Sequence, residues 1–211
     1  MSFDNYNKYV ETIKGWYIYD KINPILEKIN NFHKTNNIQS GICEIGIYQG
    51  KSFLALCCIS SPNEKRLAID SFGDFKETDW MYGEGYNNKN AFKDNYLKIF
   101  KNDNYILLQE NSNVITSNHI IELCQGNPRF FSIDGDHTVK GTYHDLELAT
   151  QSICDHGIII VDDYTNSAWA TVKEGTDMFL KNNPEIVLLK VYYNKLFLCK
   201  RNNYDKLSTL V

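Results

Sequence analysis

RFFSIDGDH, residues 129–137, decides the fold. Phe130 to Ile133 is a short apolar run, the pattern of a strand covered on both faces. It ends in Asp134, Asp136 and His137. GIIIVDDY, residues 157–164, repeats the pattern and ends in Asp162 and Asp163. In parallel α/β sheets, ligands bind outside the carboxyl ends of the strands. Neighbouring strands would therefore aim Asp134, Asp136, His137, Asp162 and Asp163 at one crevice. Acids so crowded repel one another unless a cation sits among them. The two stretches together predict a divalent-cation site.

Strand and helix patterns alternate on either side of this pair. Strands at 41–47, 66–70, 105–109, 129–133 and 157–161 alternate with helices at 51–60, 90–100, 114–125, 142–153 and 168–181. Residues 186–191 and 196–199 read as a hairpin turning at Tyr193–Asn194. The alternation predicts an α/β fold: a doubly wound, seven-stranded, mostly parallel sheet of Rossmann-like type with a C-terminal antiparallel hairpin. Val10, Ile13, Trp16, Tyr17, Ile22, Ile25, Leu26 and Ile29 recur at helical spacing. They predict N-terminal lead-in helices, a cap over 1–38 on a main domain at 39–211. Pro24 is expected in a first helical turn. The long stretch Ser71–Lys89 reads as a substrate-side flap.

A net charge of −4 with no basic run argues against nucleic-acid and anionic-membrane partners. No apolar leader or membrane-length run is present, so a cytoplasmic protein is expected. Cys43, Cys57, Cys58, Cys124, Cys154 and Cys199 form no CxxC pair and fall mostly in apolar elements. Free thiols in a reducing compartment are expected. A homo-oligomer is compatible with all of this.

The first strand runs into a glycine turn, ICEIGIYQGKS at 42–52. Gly46 and Gly50 allow a tight turn and close approach of a ligand. The spacing is E-x-G-x-x-x-G, so the dinucleotide fingerprint G-x-G-x-x-G is not met. Asp70 ends the next strand, where an acid accepts hydrogen bonds from ribose hydroxyls or caps a turn. Asn111 and Ser112 follow the third strand and either reach an adenine edge or cap a helix.

Glu44, Gly46, Tyr48, Gly50 and Ser52, followed by the paired acidic strand ends, resemble the cation-dependent O-methyltransferases among the class I S-adenosylmethionine-dependent methyltransferases. I-D-G-D-H at 133–137, V-D-D-Y at 161–164 and I-x-G-W at 13–16 resemble the branch that methylates sugar hydroxyls of natural products. The resemblance implies S-adenosyl-L-methionine held by Glu44, Gly46, Tyr48, Gly50, Ser52 and Asp70, with Asn111, Ser112 and Asp134 at its edge. It also implies Mg²⁺ or another divalent cation on Asp134, Asp162 and Asp163. It implies His137 as base, and Asp136 as cofactor contact or base. The acceptor is expected to be a small molecule carrying a sugar hydroxyl. Val139 stands where the family often has an aromatic, and Asp155-His156-Gly157 where it often has Pro-Gly-Gly.

The chemistry is coherent. A sugar hydroxyl is too weak an acid to ionise unaided near neutrality, and a bound cation acidifies and orients it. Carboxylates suit Mg²⁺, whereas an imidazole also suits Zn²⁺ or Mn²⁺. Two other readings compete. Asp134-Gly-Asp136 is also the metal motif of a nucleotide-sugar glycosyltransferase, and the chain could be a non-catalytic relative that binds a nucleoside or a partner protein.

Overall fold

Five short strands run parallel: β1 (Ile42–Ile45), β2 (Arg66–Ile69), β3 (Ile106–Leu108), β4 (Phe130–Ile133) and β5 (Ile158–Val161). β6 (Ile186–Tyr192) and β7 (Lys195–Lys200) form an antiparallel hairpin, and β7 also pairs antiparallel with β5. The seven strands make one sheet in the order β3-β2-β1-β4-β5-β7-β6. This computed structural model describes residues 3–73 and 85–211. The sheet is the one the alternation predicts. Every residue of β1, β2, β4 and β5 is buried. Burial on both faces explains why the strands are mostly apolar rather than alternating, with Glu44 and Arg66 as buried exceptions.

The helices are α1 (Asp4–Tyr9), α2 (Tyr19–Thr35), α3 (Lys51–Ile59), α4 (Gly85–Phe100), α5 (Ser117–Cys124), α6 (Val139–Ser152), α7 (Ala170–Asn182) and α8 (Tyr204–Leu207). They cover two faces. Phe130 and Ile158 point into the cluster that holds α1 to α4, whereas Phe131 and Ile159 point into the cluster that holds α5 to α7. Successive strand residues face opposite ways, so this parity also fixes where the polar ones go.

Several boundaries differ from expectation. α2 runs through Pro24, which is not in its first turn. Proline has no N–H to offer the carbonyl four residues back. The helix is held instead by Ile22, Ile25, Leu26 and Ile29, all buried in the core shared with α3. α5 starts only at Ser117 because Asn111 first caps a 3₁₀ turn and Thr116 then accepts from the His119 amide at 3.3 Å. α6 starts early, at Val139, because the Thr138 hydroxyl accepts from the Gly141 amide at 3.0 Å. α8 had no counterpart in the sequence reading. Residues 74–84 of the expected flap lie outside the described residues, and α4 already begins at Gly85.

The end of β4 away from the acids is pinned by Arg129. Its guanidinium is buried and donates to both Glu64 oxygens, at 2.6 and 3.0 Å, and to the Ile59 carbonyl at 3.0 Å. It also lies 3.2 Å from His33 Nδ1, while His33 Nε2 meets the His156 carbonyl at 2.8 Å. Burial, reinforced by the Arg129 charge, pushes His33 down to about 4. All six cysteines are free, five of them buried.

Candidate active site

In the sheet order, the strands on the two sides of the β1/β4 boundary were added in opposite directions, and α/β sheets bind ligands at such a switch point. Here the turn after β1 touches the turn after β4. Gly46 has φ +81°, and a Cβ on it would stand 2.7 Å from the Gly135 nitrogen and inside the shell of the Asp134 carbonyl. Only glycine lets the two turns meet. Tyr48 also has positive φ, +53°. Gly50 opens α3 with its Cα against the Phe92 ring.

Asp70 fixes this turn. Its Oδ2 accepts from the Ile47 and Tyr48 amides at 2.7 and 2.8 Å, and its Oδ1 from the Phe72 amide at 2.7 Å. Burial raises its pKa despite these three bonds. A carboxylate has about four acceptor positions, so one on Oδ1 stays free for a ribose hydroxyl. The turn-acid and cofactor readings of Asp70 are therefore compatible. Trp16, 85% exposed, stacks on Tyr48 at 6.4 Å between ring centroids and flanks the turn.

Glu44 and Ser52 lie beneath the turn. By strand parity Glu44 faces the α1–α4 side, where it is fully buried, and Ser52 Oγ donates to its Oε1. Among the described residues Oε2 has no hydrogen-bond partner. Burial pushes this carboxyl up to about 8. From this position Glu44 supports the turn from inside. Asn111 caps the 3₁₀ turn through the Asn113 amide at 2.9 Å, and the Ser112 carbonyl accepts from His144 Nε2 at 3.1 Å. Both expected adenine contacts have capping or packing roles in this structure. Asp145 is fully buried beneath Gly135, and burial pushes it up to about 7.

At the ends of β4 and β5 the acids divide. His137 Nε2 lies 3.1 Å from Asp163 Oδ2 and 3.6 Å from Asp134 Oδ1. One ligand atom each from Asp134, His137 and Asp163 fall within 4.8 Å of one another. Asp163 has φ +56°, and its Oδ1 accepts from Asn166 Nδ2 at 2.9 Å and Asn194 Nδ2 at 3.1 Å. Burial works to raise Asp163, but the bonds from His137, Asn166 and Asn194 outweigh it and hold the carboxyl at about 2. Two carboxylates and an imidazole nitrogen at this spacing fit a divalent cation.

Asp162 does not join them. Its Oδ2 pairs with Lys195 Nζ, and its Oδ1 accepts from the Asp163 amide and from Asn194 Nδ2, both at 2.8 Å. Of the expected trio, Asp134 and Asp163 converge with His137, while Asp162 pairs with the buried Lys195 ammonium. Asp136 is also occupied. Its carboxylate accepts from the Thr138 amide at 2.9 Å and the Thr138 hydroxyl at 3.1 Å, packed on Gly141 at the start of α6. It braces Thr138, the residue that caps α6.

The sequence reading missed Asn194 and Lys195. Tyr193–Asn194 was recognisable as a turn, but nothing in the sequence places that turn against the end of β5. Lys195 opens the strand KLFLCK and Lys200 ends it, so a charge at the strand's start was the only signal for Lys195. Trp169 packs on the His137 ring, centroids 4.5 Å apart.

Comparison with known proteins agrees with this architecture. Residues 43–164 match a family model described as a methyltransferase domain. No curated protein matches the chain in sequence. Among solved structures, the O-methyltransferase NovP is similar at 17% identity and a TM-score of 0.62, covering 83% of this chain and 78% of NovP. CalS11, a TDP-rhamnose 3'-O-methyltransferase, has 14% identity and a TM-score of 0.58, covering 94% and 86%. An O-methyltransferase from Bacillus cereus, solved with S-adenosylhomocysteine, has 15% identity and a TM-score of 0.59, covering 92% and 85%. Identities this low speak for the fold. No helix among the described residues is long and apolar enough to cross a membrane.

Proposed function

From the premise that the chain belongs to this methyltransferase domain family and is an S-adenosylmethionine-dependent methyltransferase, we propose that it methylates a sugar hydroxyl of a small molecule with a divalent cation bound. The observation that carries the proposal is the convergence of Asp134, His137 and Asp163 beside the Gly46 turn. A seat for the methyl donor and a seat for a cation then share one wall. CalS11, which shares the fold, is named for acting on TDP-rhamnose, and this supports a sugar acceptor.

The transfer forms an O–CH₃ bond as the S–CH₃ bond breaks, and the hydroxyl proton passes to a base in the crevice or to solvent water. It demands in-line approach more than covalent help. Each part of the chain then has a task. The Gly46 turn, held by Asp70, offers backbone to the donor. Asp134 and Asp163 present carboxylates to the cation, and Asp163 is kept ionised by its three hydrogen-bond donors. His137 completes that group. The cation, when bound, makes the hydroxyl more acidic and orients it. Trp16 and Tyr48 present aromatic faces beside the turn, suited to the apolar face of a sugar. Free thiols support a reducing compartment such as the cytoplasm.

The glycosyltransferase reading has no support here, because Asp136 of its motif is spent on starting α6. A panel of sugar acceptors with labelled S-adenosylmethionine, run with divalent cations or with EDTA, tests the proposal. Cation-stimulated label transfer to a sugar is expected. Binding of a UDP-sugar with none of S-adenosylhomocysteine would sink it.

A further inference from the structure

We propose that Asn88 and Asn95, on one stripe of α4, preset the turn at Tyr48–Gly50 for the methyl donor by holding Gln49. The proposal rests on the reading that this turn seats the donor, and it names the residues that keep the seat in shape.

The turn needs holding. Tyr48 and Gly50 both have left-handed backbone, φ +53° and +90°, with Gln49 between them. A side-chain-bearing residue adopts that conformation at a cost, and it persists where neighbours fix it. Asp70 fixes the first half, through the Ile47 and Tyr48 amides. The second half is held from the other side, by α4. Asn88, Phe92 and Asn95 stand at i, i+4 and i+7 and so share one face of that helix. Each meets a different part of the turn. Gln49 Nε2 donates to Asn88 Oδ1 at 3.0 Å, and both residues are buried. Asn95 Nδ2 donates to the Gln49 carbonyl at 3.1 Å. The Phe92 ring lies so near Gly50 that a Cβ there would stand 2.7 Å from it. Phe92 also stacks on Phe72, whose amide donates to Asp70, so the two supports of the turn meet at Phe72.

A glutamine in the middle of a ligand-binding turn has the reach to touch the ligand itself. Here its side-chain amide is bonded inward. A buried amide stripped of its partner is unfavourable, so the pair holds one geometry. The peptide groups on either side of Gln49 are then set before the donor arrives. A seat already shaped spares the donor the free energy of ordering it, and affinity rises accordingly. Gln49, Asn88 and Asn95 are positioning residues, acting through the backbone of the turn.

The test uses the full chain with S-adenosylhomocysteine as the probe. Affinity is measured by calorimetry at a temperature where circular dichroism shows each variant folded, so a loss of stability alone leaves it unchanged. Asn88→Leu, Asn95→Leu and Gln49→Met keep side-chain size and remove the bonds. Each of the three is expected to weaken the probe about three- to tenfold, the net worth of one hydrogen bond. Gln49→Met combined with Asn88→Leu is expected to be no weaker than the poorer single variant, because both remove the same bond. The exchanged pair, Gln49→Asn with Asn88→Gln, is expected to recover most of the affinity. Hydrogen exchange in the ligand-free chain is expected to quicken at the 47–50 amides of Asn95→Leu. Parent-like affinity in both Asn88→Leu and Asn95→Leu overturns the proposal. A loss confined to Gln49→Met also overturns it, since Gln49 then touches the donor directly. If Asn88→Leu does not fold, Asn95→Leu and its exchange pattern decide. Asp70→Asn separates the brace from the seat. If it weakens the probe while the α4 variants do not, the brace alone fails. If it binds as the parent does, the donor is seated elsewhere and the proposal falls with that reading.

Discussion

Replacing Gly46 with alanine probes the joint between the two halves of the crevice. Its φ of +81° alone would cost an alanine about 1–2 kcal/mol. The added Cβ also collides with backbone. It would stand 2.7 Å from the Gly135 nitrogen and closer still to the Asp134 carbonyl, below the 3.0 Å that real Cβ atoms respect. Backbone cannot rotate aside as a side chain does, so the two turns must part by about 1 Å in a densely packed interior. Forced overpacking adds about 1–3 kcal/mol, for a total near 3 kcal/mol. Gly126→Ala is the control. Its φ is +139°, yet its Cβ would meet nothing nearer than Ser40 Oγ at 3.8 Å. It carries the backbone strain without the collision. Denaturant unfolding and calorimetry with S-adenosylhomocysteine and with Mn²⁺ give the readout. Gly46→Ala is expected to lose about 3 kcal/mol and to weaken both ligands, whereas Gly126→Ala loses about 1–2 kcal/mol and binds both normally. If the two variants are equally stable and bind both ligands alike, the Gly46–Asp134 contact does not join the sites.

Two further predictions concern pH, and they have opposite signs. His33 is held at about 4 in the folded chain against an ordinary value of 6.5, so the unfolded chain binds more protons between those values. Stability should therefore rise with pH across that window by about 3 kcal/mol, and His33→Gln should flatten the rise in denaturant midpoints measured from pH 4 to 7. Glu44 runs the other way: its folded value of about 8 lies above the ordinary 4.5, so stability is full below 4.5 and is lost as pH climbs through 8. Glu44→Gln should melt higher than the parent at pH 8.5 and equally at pH 4, with S-adenosylhomocysteine affinity unchanged; a tenfold or so loss of that affinity would mean that Glu44 touches the cofactor after all.

The sheet was legible because its strands are buried on both faces, which writes them as FFSI and IIIV, with no polar residue to blur the ends. The crevice was legible for the same reason, since acids at such strand ends have one place to point. The division of the acids was not. Asp162 and Asp163 are neighbours with the same chemistry, and only the turn at Asn194–Lys195 tells them apart. That turn is some thirty residues away, and its placement depends on β7 joining β5, a tertiary fact with no local signature. The burial of Glu44 was not legible either: period-two alternation along β1 sends its side chain to the face away from Cys43 and Ile45, into the interior. Pro24 was misplaced because tertiary burial of α2 overrides the local preference of proline.

The hairpin turn also sets an order in time. Asp134, Asp162 and Asp163 leave the ribosome well before Asn194 and Lys195, and domains begin to fold as they emerge. Until those two residues arrive, three like charges converge with neither the amide that ties the acid pair nor the ammonium that neutralises its inner member. A chain caught at that stage has most of its parallel sheet and no competent centre. On the proposed reading, cation capture is a late event in the life of each molecule and reports that the antiparallel edge has closed.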